Sequence, residues 1–91
     1  MSVNFDMKVG IVKRMTLDGE KTVSFRFDML EGTQRYTKNV DIKLLQNEKQ
    51  RDTILRNIAR EVTDEMIVPK LIHTILNALV TSALQGNNPL E

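Results

Sequence analysis

The segment KLIHTILNALVTSALQ, Lys70 to Gln85, carries a single formal charge, at Lys70, and no other stretch restricts the fold as much. On a helical wheel of about 100° per residue, Leu71, Ile75, Ala78 and Leu79 share one side. Ile72, Leu76, Val80, Ala83 and Leu84 continue the same apolar arc to roughly 240° of the circumference, where one packing contact needs only a little over ~100°. Such a helix needs two neighbours. It is the central layer of the fold or part of an oligomer interface, and the expected interface is Leu71, Ile72, Ile75, Leu76, Leu79, Val80, Ala83 and Leu84.

The N-terminal half has a different period. Val3, Phe5, Met7, Val9, Ile11, Met15 and Leu17 occupy odd positions between mostly polar even ones, with Lys13 the exception. This is a strand with one buried face. Val23, Phe25, Phe27 and Met29 form a second strand, and Tyr36, Val40, Ile42 and Leu44 a third, with Lys38 its exception. Residues opposite each other in an antiparallel pair share a face, so parity restricts the loops. Two odd strands need an odd loop around Asp18-Gly19, of three or five residues. The odd-to-even switch needs an even loop, and Gly32-Thr33 suits a type II′ turn. The expected registers place Phe27 opposite both Lys13 and Lys38, Phe25 opposite Val40, and Arg14 opposite Arg26.

After Leu45 the period becomes helical. Asn47 is the expected N-cap, followed by Glu48 in the first turn. Ile54, Leu55, Ile58, Ala59 and Val62 make a narrow stripe between charged residues. Pro69 breaks or kinks the pattern between residues 64 and 69. Two helices in a hairpin are preferred, with one long bent helix as the other option. Gly86 is a suitable stop. The resulting fold class is α+β: a three-stranded antiparallel meander followed by two helices packed on one sheet face. With 91 residues this is one domain, over 1–86, with a flexible tail at 87–91 and Leu90-Glu91 resembling a cloning scar.

The totals narrow the function classes. Net charge is +1, from 13 basic and 12 acidic residues, far from the basic footprint of a nucleic-acid or membrane-surface binder. The most apolar stretch, Met66 to Leu84, is interrupted by Pro69, Lys70, His73 and Asn77, which disfavours a membrane span. With no cysteine there is no disulfide or thiolate chemistry, and an intracellular, cytoplasmic setting is expected.

The candidate chemistry is sparse. His73 is the only histidine and sits at the margin of the apolar arc, where a partly buried, hydrogen-bonded ring is expected. One histidine without cysteine makes a poor metal set. Glu61, Asp64 and Glu65 form a carboxylate cluster near Arg56 and Arg60, read as a salt-bridged surface. Arg14, Arg26 and Arg35 lie on the polar sheet face as a potential anion or nucleic-acid contact. Asp28 and Asp41 are within diagonal reach, and no aromatic is available there for stacking. No glycine-rich phosphate loop is present. The expectation is a small homo-oligomeric protein-interaction module, an adaptor, assembly factor or regulator. It has no catalytic residues, cofactor or metal, and it binds itself and another protein. The alternative is a nucleic-acid-associated regulator whose basic sheet face is completed by dimerisation.

Overall fold

In the computed structural model the chain is described from residue 5 to residue 88. The order is β1 (Phe5–Met15), β2 (Lys21–Glu31), β3 (Gln34–Asp41), α1 (Ile42–Gln46), α2 (Glu48–Glu65) and α3 (Ile72–Leu84). The strands form one antiparallel sheet in the order β1-β2-β3. The part of the strand expected at Val3 and the scar at Leu90-Glu91 lie outside the described residues.

The second hairpin follows from its turn residues. Glu31 pairs with Gln34, leaving a two-residue loop, and Gly32 takes φ +60°, as the first central position of a II′ turn requires. Phe25 therefore faces Val40, and Phe27 faces Lys38.

The first hairpin has the expected odd loop but a different register. Met15 pairs with Lys21, so the five-residue loop runs from Thr16 to Glu20. Phe27 lies opposite Val9 and Lys13 opposite Val23, so the expected Phe27–Lys13 row is not formed. Arg14 likewise faces Thr22, and Arg26 faces Gly10. The cause is local. The Thr16 carbonyl accepts from Gly19 N–H at 3.0 Å, Thr16 N–H donates to the Glu20 carbonyl at 2.8 Å, and the Thr16 hydroxyl donates to Asp18. Gly19 at φ +85° supplies the left-handed step. These bonds centre the turn on Asp18 and take Leu17 out of the strand into full exposure.

β3 is shorter than its alternation suggests. The Asp41 carboxylate accepts from Lys43 N–H at 2.8 Å and caps α1, so Ile42 and Leu44 are helical rather than extended. Leu45 is thereby delivered to the core, and Leu44 is left exposed. Asn47 then caps α2, its side chain accepting from Lys49 and Gln50 N–H at 3.1 Å each. The break near Pro69 resolves into two separate helices. α3 ends in a Schellman arrangement, with Gly86 N–H donating to the Ala83 carbonyl and Asn87 N–H to the Ser82 carbonyl, around Gly86 at φ +104°.

One apolar core joins the odd-position face of β1 and β2 to the helices. Val9, Phe25, Phe27, Met29 and Val40 meet Leu55, Ile58, Val62, Leu76 and Val80, and no polar side chain is buried among the described residues. Each such side chain contributes about 1.5–3 kcal/mol by leaving water. α2 lies under the β3 side, where Tyr36 and Lys38 reach Glu61, and α3 runs beside β1. The even-position face of β1 and β2 is left uncovered by helices.

Candidate functional site

α3 divides its apolar arc between two roles. Ile72, Leu76, Val80 and Ala83, spaced by four, four and three residues, are buried inside the chain. Of the expected interface these four belong to the core. Leu79 and Leu84 pack against its margin and are half-buried. Leu71 is 68% exposed, Ile75 half-buried one turn on, and Ala78 exposed. Ile67, in the loop before α3, is 65% exposed and lies outside the expected interface. Its spacing of four from Leu71 is the signal that could have placed it there, hidden by the intervening Pro69. Ile67 and Leu71 are thus exposed apolar residues ahead of α3, and Ile75 is half-buried one turn into it. None of the three is charged.

The arginines do not converge. Arg14 faces Thr22, Arg26 is in mid-β2, and Arg35 faces Leu30, so each is four residues from the next along β2, about 13 Å. Two have partners within the chain. Arg35 makes a forked pair with Asp28, Nε at 3.1 Å and Nη2 at 3.0 Å, and Arg26 Nε donates to Asn39 at 3.4 Å. Asp28 also accepts from Thr37 at 3.2 Å. Hydrogen bonding from Arg35, more than any other cause, holds the Asp28 carboxyl below its ordinary pKa. Asp41 is committed to its helix cap.

Glu61 is held by β3 rather than by the helix arginines. Its carboxylate accepts from the Tyr36 hydroxyl and pairs with Lys38 at 3.4 Å. Burial first, and then the hydrogen bond to Glu61, push the Tyr36 phenol well above its usual range. This explains why Lys38 interrupts the apolar pattern of β3: it faces the helices but ends on a carboxylate. Arg56 pairs instead with Asp52 at 2.8 Å. His73 is partly buried beside the same carboxylate, Nε2 lying 3.1 Å from Asp52 Oδ1. This contact with Asp52 is among the lesser causes that hold the Asp52 carboxyl below its ordinary pKa, after the hydrogen bond from Arg56.

β2 residues Lys21–Val23 pair with β1 only, since β3 reaches no further than Ser24. The hairpin end therefore projects beyond the third strand. An open cleft of about 410 Å³ beside it is lined by Lys13, Arg14, Met15, Lys21, Thr22 and Val23, with neither a carboxylate nor a histidine. Among the described residues no group of three or more His, Cys, Asp or Glu is placed to hold a metal ion, and no helix is long and apolar enough to cross a membrane. Comparison with known protein families, with characterised proteins and with solved structures finds no match to this chain.

Proposed function

We propose that this chain is a small homo-oligomeric interaction module, a dimer that works by binding another protein and does no catalysis. The observation that carries the reading is the exposure of apolar residues around the start of α3. Leu71, which precedes the first turn of α3, is 68% exposed and Ile67, in the loop before it, 65% exposed, while the inner side of α3 is committed to the core. Two-fold pairing covers such a surface economically, because one patch serves both subunits. The dimer contact is accordingly Leu71 and Ile75 with Ile67, bordered by Leu79. The open polar face of the sheet, or the solvent side of α2, is left to meet the partner.

Light scattering at micromolar concentration tests this. The expected mass is twice the 10.4 kDa of one chain. Leu71→Asp places an unpaired charge in the contact and should return the mass to that of one chain, with the circular dichroism of the fold retained. Leu76 and Val80 are fully buried within the chain, so Asp at either tests folding and not association. A wild-type mass of one chain, or a Leu71→Asp variant still dimeric, removes this reading.

A further inference from the structure

The edges of the sheet are treated unequally. β1 is an edge strand, and one of its backbone positions is closed by a side chain from the other end of the chain. Ile11 N–H donates to Asn88 Oδ1 at 2.8 Å, and Asn88 Nδ2 donates to the Ile11 carbonyl at 3.0 Å. A carboxamide has the same donor and acceptor as a peptide group. Asn88 thus makes at Ile11 the two bonds that a residue of a neighbouring strand would make. Because both Ile11 groups point away from β2, the odd residues of β1 are the ones turned outward, and Val9 and Lys13 flank the plug. Val9 is 2% exposed, closed off by the core. Lys13 carries a charge, a common guard of exposed edges. The three outward positions in the middle of β1 therefore differ: Val9 is buried, Ile11 is held by a side-chain amide and Lys13 carries a charge.

We infer that Asn88 is a built-in edge plug, whose carboxamide keeps the β1 edge from pairing with the β1 edge of a second copy. The inference is independent of the α3 contact, since it concerns backbone groups of β1 and a residue beyond α3. Asn88 belongs to the segment expected as a tail, and its carboxamide lies against Ile11.

Hydrogen exchange followed residue by residue, together with sedimentation over a range of concentrations, tests it on the intact chain. In the wild type the Ile11 amide should exchange as slowly as that of Val12, which points into the β1–β2 ladder. Asn88→Ala should speed exchange at Ile11 by at least about 10-fold and leave Val12 unchanged. The same variant should add a concentration-dependent species larger than the wild-type one. Asn88→Asp keeps the acceptor, loses the donor and adds a charge to the edge, so Ile11 should stay protected and the larger species should not form. An Ile11 amide unaffected by Asn88→Ala overturns the plug. Faster exchange without any new species also overturns it, because Asn88 would then only tether the residues after α3. Association that Leu71→Asp abolishes in both wild type and Asn88→Ala would assign the new species to the helix and reject the edge.

Discussion

Asp28 organises the polar face of the sheet. It sits in the central strand, takes a forked pair from Arg35 and a hydroxyl from Thr37, and lies opposite Lys8. Its carboxyl is held below the ordinary value of 3.8, chiefly by hydrogen bonding from Arg35. A carboxyl depressed by folding adds stability that is present above its unfolded pKa and is lost as pH falls through the folded one. Wild-type stability to urea should therefore fall as pH is lowered below 3.8. Asp28→Asn, which cannot titrate, should be less stable than wild type at neutral pH and lose less over the same acid interval. An unchanged acid slope in the variant would count against this account. Which residues share this face is legible from parity alone, and so is the reach of Asp28. Which pairs form depends on register to the residue. The Thr16 and Asp18 hydrogen bonds that set the first hairpin have no periodic signature, so parity puts Arg14 opposite Arg26 whereas the strands run four residues out of that alignment. Asn88 is harder still to read, since one amide bonds a strand 77 residues away and nothing in its neighbourhood marks it.

Elements were readable where a period and a capping signal agree. Gly32-Thr33 satisfied both the parity switch and the backbone of a II′ turn, so the β2–β3 register follows from sequence. Asn47 ahead of a 3.6-residue period gave the start of α2. α1 is the failure: five residues cannot establish a helical period, and Ile42 and Leu44 happen to continue the alternation of β3. Only the Asp41 side chain, bonding two residues ahead, distinguishes the alternatives. The weight of such caps is measurable. Asn47→Ala removes the acceptor of two amides at the start of α2 and should cost about 1 kcal/mol, within the ~0.5–2 kcal/mol typical of cap loss. The urea midpoint should move down with its slope unchanged. A shift near zero would mean that water replaces the cap fully.

At the scale of the molecule the charge balance and the spread of the arginines weigh together. Net charge is +1, and Arg14, Arg26 and Arg35 are dispersed across the sheet with Arg35 committed to Asp28. Labelled duplex DNA or single-stranded RNA at about 150 mM salt should show nothing tighter than the ~10⁻⁴ to 10⁻⁶ M of non-specific binding. Sub-micromolar affinity with a steep salt dependence would instead favour a regulator that uses the basic residues. Helix α3 contacts both α2 and β1 within the chain, whereas its sequence says only that it needs two neighbours and not which of them its own chain supplies. The wheel shows an apolar arc and not which atoms fill it. The placement of α3 beside β1 also has a temporal side. A ribosome releases β1, β2 and β3 in order, and the hairpins can form at once from local contacts. The apolar undersurface of β1 then waits for Ile72, Leu76 and Val80, and the Ile11 edge waits for a residue 77 positions later. Until those residues emerge, the nascent sheet has an uncovered face and an unguarded edge, the two features that favour aggregation and chaperone capture. Slow decoding after α2 should therefore lower the yield of folded chain more than slow decoding within the strands.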